Sequence, residues 1–223
     1  MALKGLGAVI IWNDITPEGR ADFYDWHVNE HIPERVAIAG FLRGRRYIAA
    51  DDATSPEFLT LYETENEKVL SSADYLARLN HPTPWTKRAT AHFRNTSRCL
   101  ATLVSTKGAG ISRYMATLRI AHSAQGLELS ARLTQCAIEL GSSLVKGLVT
   151  GLAIGLSDVQ ASNIKTTESS GRTDILQPPI GALLIEGVTK EAVETAMDKA
   201  CGMIAAKGDS ARGVYMLEFS LDG

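Results

Sequence analysis

The chain has 223 residues, of which 45% are hydrophobic and 22% charged, as in a soluble globular protein of one large or two small domains. A formal net charge of −2 argues against nucleic acid or anionic lipid as a partner, and no stretch approaches the roughly 20 apolar residues that span a membrane. Its three cysteines, Cys99, Cys136 and Cys201, are too far apart to form a metal-binding pair, so we expect reduced thiols and a cytoplasmic location.

The first half of the chain predicts the element order β-α-β-β-α-β. The apolar run 6–13 indicates a buried first strand and not a signal peptide. Thr16 and Pro17 are typical of a helix start, and Pro33 disfavours helical geometry before it, so this helix should end or kink near His31. The remaining predicted elements are strands at 41–50 and 57–65, a helix at 66–79 capped by Asn66, a Pro-rich loop at 80–85 and a strand at 91–106.

The second half repeats this order with a period of about 108 residues, which indicates an internal duplication. The predicted strands are 112–121, 143–157, 180–188 and 213–221, and the predicted helices are 125–140 and 189–206. The polar segment 158–178 should be a long, mobile excursion between two strands. We therefore predict two ferredoxin-like domains, residues 1–107 and 108–223, joined at the link 106–110.

This pattern predicts an α+β fold in which each unit forms a four-stranded antiparallel sheet with both helices on one face. The strands carry apolar or aromatic residues on both alternation phases, so the other face of each sheet also needs a cover. In the third strand, Phe58, Thr60 and Tyr62 share one face and alternate with Leu59 and Leu61. Packing the two bare faces together would form a dimeric α/β barrel, either within one chain as a pseudo-dimer or between two chains as a homodimer.

The stretch "DWHVNEHIPERV", which begins at position 25, contains the pattern H-x-x-E-H. At helical spacing, Phe23 and Trp26 share one stripe with three polar residues, which should therefore lie where the helix contacts the sheet. The polar residues are His27, Glu30 and His31. Two histidines four residues apart can hold a metal ion from one helix face, with Glu30 as general base, as in one class of zinc peptidase.

Several features argue against a zinc peptidase, and we predict no metal. The third ligand would have to be Glu67 or Asp74 on the next helix, and no flanking pattern favours either. Pro33 interrupts the helix just after the second histidine, and one βαββαβ unit is small for such a catalytic fold. Two interpretations stay open. The histidines are hydrogen-bonded residues at a helix end, with Glu30 and Glu34 solvated or paired with arginine, or they act on a small organic molecule in a pocket.

The strand "FLRGRRYIA" carries three arginines, which is unusual for a central strand because arginine is rarely buried unpaired. A period of two places Phe41, Arg43, Arg45 and Tyr47 toward the barrel interior with Thr60 and Tyr62, and Leu42, Gly44, Arg46 and Ile48 toward the helices. Arg45 and Tyr47 could hold a carboxylate or phenolate ligand. Alternatively, the arginines form ion pairs with acidic residues, for which the candidates are Asp25, Glu30, Glu34 and Glu63.

Trp85 could close a pocket mouth or pack on the sheet edge.

Three stretches, "WHVNEHIPERVAIAGFLRGRRYIA", "FLTLYETENEKVLSSADY" and "HPTPWTKR", resemble a bacterial family of uncharacterised proteins with the signature W-H-x-x-E-H-x-P-E-R followed by G-F-x-R-x-R-R-Y. The resemblance covers residues 8–95 and implies membership of the dimeric α/β-barrel superfamily, near the EthD-like proteins. That superfamily includes cofactor-free monooxygenases, isomerases such as muconolactone isomerase, cyclases and haem-binding enzymes. The resemblance implies a pocket between helix and sheet, and often a dimer. The second half shares only the order of strands and helices with the first, since its helix 125–140 has no histidine.

We therefore predict a cofactor-independent enzyme of monooxygenase, isomerase or cyclase type that acts on a small aromatic or lactone-like compound. The predicted catalytic residues are His27, His31 and Glu30, and the predicted substrate-binding residues are Arg45, Tyr47, Tyr62 and Trp85. Two alternatives stay open: a non-catalytic protein that binds a small ligand in the same pocket, and a haem protein of the same fold. For haem, His92 and His122 are further candidates for the axial ligand.

Overall fold

The computed structural model of the protein describes residues 3–206, 208 and 210–223. Within these residues, eight antiparallel strands close into a barrel, which confirms the α/β-barrel prediction. The strands are β1 (Gly7–Ile15), β2 (Phe41–Ala49), β3 (Phe58–Thr64), β4 (Phe93–Gly108), β5 (Tyr114–Ile120), β6 (Val149–Ser157), β7 (Gly181–Gly187) and β8 (Ser210–Asp222).

Helices cover the outer surface of the barrel. They are α1 (Arg20–Trp26), α2 (Ile32–Val36), α3 (Ala73–Asn80), α4 (Pro84–Thr90), α5 (Ala124–Leu144), α6 (Val159–Ser162) and α7 (Lys190–Met203). Short 3-10 turns at Pro17–Gly19 and Glu67–Ser71 precede α1 and α3. None of the helices in the described part of the chain combines the length and apolar character needed to cross a membrane.

Two sheets of four strands make up the barrel, in the orders β4-β1-β3-β2 and β8-β5-β7-β6. They join where β2 pairs with β8, with Ile48 opposite Met216, and where β4 pairs with β6, with Ala101 opposite Ser157. Each sheet has two apolar faces, and an apolar face exposed to water would be unfavourable. The second cover that each sheet needs is supplied within one chain.

Of the two outcomes predicted for the first helix near His31, an end or a kink, the helix does not end there. It continues to Val36 through a π-helical turn, His27–His31, that joins α1 to α2. Pro33 lies in the first turn of α2. In a regular α-helix its ring would clash with the carbonyl of Asn29, and the wider π-turn shifts the hydrogen-bond register at that point. The whole H-x-x-E-H motif therefore forms the irregular turn in the middle of the helix.

Residues 84–90 form α4, which begins inside the loop predicted at 80–85 and continues through residues for which no element was predicted. Thr83 caps this helix, because its Oγ1 accepts a hydrogen bond from the backbone N–H of Thr86 at 2.9 Å, and Pro84 occupies the first turn. Thr followed by Pro is the same helix-start signal that the analysis used at Thr16. The proline that suggested a loop therefore marks a helix start.

The second half departs from the prediction in two places. Helix α5 is longer than expected, so the strand predicted from residue 143 begins only at Val149. The segment 158–178 begins with α6 and then lies across the first half of the chain. There the backbone N–H of Thr96 donates a hydrogen bond to the carbonyl of Asp174 at 3.0 Å, and the carbonyl of Thr96 accepts a hydrogen bond from the backbone N–H of Leu176 at 2.8 Å. These contacts join residues far apart in the chain, which composition cannot reveal.

The barrel interior holds a buried ion network among apolar side chains. Arg43 donates to both carboxylate oxygens of Glu63 at 2.8 Å. Arg45 lies 2.8 Å from the Glu63 carboxylate and donates to Glu186 at 2.9 Å. Arg45 and Tyr47 are fully buried, with the guanidinium carbon 5.6 Å from the centroid of the Tyr47 ring. Because Glu186 belongs to β7, the network links the two sheets through the inside of the barrel.

The interior position predicted for Arg43, Arg45 and Tyr47 is found in the structure. Three residues predicted beside them lie instead on the helix-covered side: Phe41, Thr60 and Tyr62. A register shift between Phe41 and Arg43 places these two on opposite faces, as a β-bulge does. Glu63 lies opposite Arg43, so it is Glu63 and not Tyr62 that faces the interior.

We predict that Arg45→Met lowers the free energy of unfolding by roughly 3–5 kcal/mol, because it leaves the buried Glu186 carboxylate without its cationic partner. Urea denaturation measures the change. The control is Arg212→Met, which breaks the exposed Arg212–Asp198 pair and should cost about 0–1 kcal/mol. The double variant Arg45→Met/Glu186→Gln should recover part of the loss. Equal effects of the Arg45 and Arg212 substitutions on the free energy of unfolding would contradict a stabilising role of the buried Arg45–Glu186 pair.

Candidate functional site

The space between helices and sheet is packed differently in the two halves of the protein. In the second half, one continuous apolar cluster fills the space beneath α5 and α7. In the first half there are two clusters, one that includes Ile32 and Tyr62 and one that includes Phe23 and Trp26. A cavity of about 390 Å³ is lined by residues of both. Its volume lies in the range typical of small-molecule sites.

The floor of this cavity is formed by three adjacent strands. Tyr62 on β3 lies opposite Val9 on β1, and Ile11 on β1 lies opposite Arg98 on β4. The walls come from the helices and the start of β4 and include Trp26, His31, Arg35, Tyr75, Leu79 and Phe93. Aromatic rings therefore supply much of the lining, and the polar groups are few and distinct.

The π-turn places two imidazole rings in an aromatic stack. The His27 ring lies 4.9 Å from Phe23 and 5.6 Å from His31, measured between centroids, and the planes are within about 25° of parallel. Trp26 packs on His31 at 4.2 Å. Its Nε1 donates to Thr86 on α4 at 3.2 Å, which fixes the indole. Packing on both sides of the turn thus holds His31 at the cavity wall, with His27 behind it.

His31 and Tyr62 have unused hydrogen-bonding capacity beside the cavity. Their ring centroids are 6.2 Å apart. The Nδ1 atom of His31 and the hydroxyl of Tyr62 are buried and have no hydrogen-bond partner among the described residues. Buried polar atoms are normally paired with protein or an ordered molecule. Both side chains line the cavity, so one small ligand there can contact both residues.

Burial keeps both histidines neutral. The pKa of His31 is lowered well below its usual value, first because the ring is buried and then because Arg35 and His27 lie nearby. The pKa of His27 is lowered in the same direction by burial and by the charges of Arg46 and Arg35. Burial also raises the pKa of Tyr62, so its hydroxyl stays protonated. At neutral pH the site thus combines a neutral imidazole, which can accept a proton, with a phenol that can donate a hydrogen bond.

The segment 158–178, which we call the roof segment, covers the cavity from the second half of the chain. Arg35 in the wall donates to Glu168 of the roof segment, and Arg172 donates to Asp174 and to Thr96 on β4, both at 2.7 Å. Residues 162–166, 168, 169, 172 and 175–178 contribute to the lining. The cavity is therefore built from both halves, although its floor and walls belong to the first.

Arg98 differs from the other arginines of the lining. Arg35 is paired with Glu34 and Glu168, and Arg172 is paired with Asp174. The only side-chain hydrogen bond of Arg98 within the described residues joins its Nη2 to the hydroxyl of Tyr75 at 2.9 Å, and no described carboxylate forms an ion pair with it. The cavity floor thus holds a half-buried guanidinium that forms no ion pair with a described carboxylate.

The seven residues predicted from the sequence do not meet in one place. His31 and Tyr62 line the cavity, and His27 stacks behind His31. Arg45 and Tyr47 lie on the opposite face of the sheet, in the barrel interior. The predicted role of these two in substrate binding therefore has no support from the geometry.

Glu30 and Trp85 lie outside the cavity and make structural contacts. The Glu30 carboxylate accepts hydrogen bonds from Thr83 at 2.6 Å and Thr86 at 3.3 Å, which connects the π-turn to α4. The indole Nε1 of Trp85 donates to Asp22 at 2.9 Å. Among the described residues, no group of three or more His, Cys, Asp or Glu side chains is arranged to hold a metal ion.

Sequence reasoning did not identify three polar residues of the site. Arg35 is four residues after His31, so helical spacing alone could have placed it beside the histidine. Arg98 lies on a strand whose alternation was not analysed. Glu168 belongs to the roof segment, whose position depends on contacts that have no local sequence signal.

Solved structures match the chain over nearly its whole length. It is similar to an anthrone oxidase-like protein, with a TM-score of 0.65 and 12% identity over 98% of this chain and 93% of that chain. A Fusobacterium nucleatum protein provisionally assigned as a monooxygenase has a TM-score of 0.56 and 7% identity over 98% of both chains. A heme-binding protein from Thermus thermophilus has a TM-score of 0.53 and 12% identity over 97% of this chain and 92% of that chain. No family model and no curated protein matches the sequence. At these identities the similarity shows the fold alone.

We predict that acid destabilises the protein in part through His27. Its folded-state pKa is lowered, so the unfolded chain binds more protons than the folded one below about pH 6.5. The stabilisation is fully present above that pH and is lost, by up to about 1.4 kcal/mol per pH unit, as the pH falls. In His27→Phe, where the ring can stack on Phe23, urea denaturation at pH 7.5, 6.0 and 5.0 should show a shallower pH dependence than in the wild type. The control, His81→Phe at an exposed site, should keep the wild-type slope. A wild-type slope in His27→Phe would contradict the prediction.

Proposed function

We propose that the protein is a cofactor-independent enzyme in which His31 removes a proton from a small aromatic substrate. The observation that carries this function is the neutral, buried His31 in a cavity walled by aromatic rings, next to the Tyr62 hydroxyl, which has no hydrogen-bond partner among the described residues. A general base needs a proton-free form at working pH and a position against the substrate. The similarity in fold to proteins described as an anthrone oxidase-like protein and a monooxygenase is consistent with this class.

The chemistry assigned to these residues is a single proton transfer. A ring nitrogen of His31 accepts a proton from an acidic C–H next to a carbonyl group, and the electron pair that remains moves onto the carbonyl oxygen. The Tyr62 hydroxyl donates a hydrogen bond to that oxygen as its negative charge develops. This step is common to enzymes of monooxygenase, isomerase and cyclase type, so it follows from the site without a choice among them. The apolar surroundings strengthen both interactions.

We also infer that the chain is a tandem of two ferredoxin-like units, residues 1–107 and 108–223. Support comes from the strand orders β4-β1-β3-β2 and β8-β5-β7-β6, which are the same order read in each half. Among the described residues, the first unit holds the more enclosed cavity, and the second unit has an open groove beside α5 and α7 and contributes the roof segment. The three cysteines of the protein form no disulfide, which supports a cytoplasmic enzyme.

The described residues favour this enzyme over a haem protein. His92 is bonded through Nδ1 to Thr16 at 2.9 Å and does not line the cavity, and His122 lines a separate, shallow groove. An iron-bound histidine normally donates its other ring N–H to an acceptor. His31 has no such partner within the described residues. A haemin titration followed at the Soret band tests this directly.

We predict that His31→Ala lowers turnover by about 10²–10⁴-fold, the usual contribution of a general base, and that Tyr62→Phe lowers it less. Wild-type enzyme is first screened by mass spectrometry against aromatic ketones, phenols and lactones to find a substrate. Because the pKa of His31 is lowered, the acid limb of kcat/KM should lie below pH 6.5. The matched control is His81→Ala, which removes an exposed imidazole outside the cavity.

Two results would end this proposal. One is wild-type turnover in a folded His31→Ala variant. The other is a set of aromatic compounds that raise the melting temperature of the wild type but are never consumed, which would favour the non-catalytic binding protein.

A further inference from the structure

We propose that the substrate carries an anionic group, a carboxylate or an ionised phenol on its aromatic frame, and that Arg98 binds that group. This inference deepens the proposed function and rests on the same cavity, but it concerns recognition and not the proton transfer. It assigns to Arg98 the role that the sequence suggested for Arg45.

The first step of the argument is the charge of the cavity. Among the described residues its lining has four cationic side chains and one carboxylate: Arg35, Arg98, Lys165, Arg172 and Glu168. Glu168 is already bound to Arg35, and Arg172 is neutralised by Asp174 outside the lining. Lys165 is exposed at the rim. Arg98 is thus the half-buried cation whose charge a ligand would have to balance, and a guanidinium in such surroundings favours an anion.

The second step is the geometry of Arg98. It lies on the floor of the cavity, on β4, opposite Ile11 on β1. The Tyr75 hydroxyl on α3 accepts from its Nη2 and so fixes the orientation of the guanidinium plane. The remaining donors, Nε and Nη1, make no hydrogen bond to described residues. Nη2 carries a second N–H, so with either Nε or Nη1 it leaves one edge of the planar fork for the two oxygens of a carboxylate or a single phenolate oxygen.

The third step is the apolar part of the ligand. Three hydrophobic residues of the roof segment line the cavity although they remain about half exposed: Ile164 at 50%, Ile175 at 43% and Leu176 at 49%. A cluster of exposed apolar side chains at a cavity rim is typical of a site that receives an apolar molecule. Together with Trp26, Tyr62 and Phe93, this rim selects a ring system, and Arg98 selects its charge.

The experiment compares aromatic acids with their neutral amides by isothermal titration calorimetry at pH 7.5. The pairs are benzoate and benzamide, 2-naphthoate and 2-naphthamide, and anthracene-9-carboxylate and its amide. We expect the wild type to bind the acid of at least one pair about ten- to a hundredfold more tightly than the amide, as for hydrogen bonds to a charged group. Arg98→Met should bring that ratio close to one while amide binding changes by less than about twofold.

Two matched variants separate recognition from other effects. Arg94→Met removes an exposed arginine of the same strand that does not line the cavity, and it should keep the wild-type ratio. His31→Ala should also bind the acid more tightly than the amide. The affinity ratio does not depend on proton transfer, so it stays informative even if His31 is not a general base. If Arg98→Met does not fold, Arg98→Lys keeps the charge without the planar fork and should lower the ratio without abolishing it.

The inference is overturned if the wild type shows no preference for the acid in any of the three pairs, including the case in which none of the compounds binds. It is equally overturned if a folded Arg98→Met variant keeps the wild-type ratio, because the anion would then be bound elsewhere. A loss of the ratio in Arg94→Met to the same extent would assign the effect to general surface charge.

Discussion

The mutual burial of two apolar sheet faces is the constraint on which the rest of this structure depends. Each sheet is apolar on both sides, so one side must be covered by helices and the other by the second sheet. Closing the barrel buries Arg45, Glu63 and Glu186 inside it, and their charges are balanced within the network. The barrel interior is therefore occupied, and the space available for a ligand lies on the outer, helix-covered side.

That outer space is the place where the two halves differ in physical character. Beneath α5 and α7 the apolar side chains meet without interruption, which is the arrangement that maximises burial. Beneath the helices of the first half the packing divides around a cavity, and buried polar atoms of His31 and Tyr62 lack partners among the described residues. Each such atom costs free energy that a filled core would not lose. An arrangement that costs stability at a concave site is what a binding or catalytic role requires.

The roof segment gives the second half a part in the site. An isolated first unit would leave the cavity open on the side that residues 162–178 now cover. Pairing of the two sheets within one chain holds the roof segment at a fixed position above Arg35 and Thr96, where the ion pair with Glu168 and the backbone bonds to Thr96 attach it. The cavity is thus composite, because the first half of the chain supplies its floor and walls and the second half supplies its cover.

Apart from α4 and α6, the order of strands and helices could be predicted from the sequence, because hydrophobic periodicity and helix caps such as Thr189 are local signals that the structure obeys. Apolar residues on both strand faces likewise predicted the barrel, and His31 and Tyr62 were recognised by residue type. Tertiary structure alone decided which side of the sheet is free for a ligand, because a bulge near Phe41 and the pairing of Arg45 with Glu186 depend on neighbours far along the chain. It also decided that Arg98 and the roof segment belong to the same cavity as His31, since their proximity arises from strand pairing and long-range hydrogen bonds and leaves no periodic trace in the sequence.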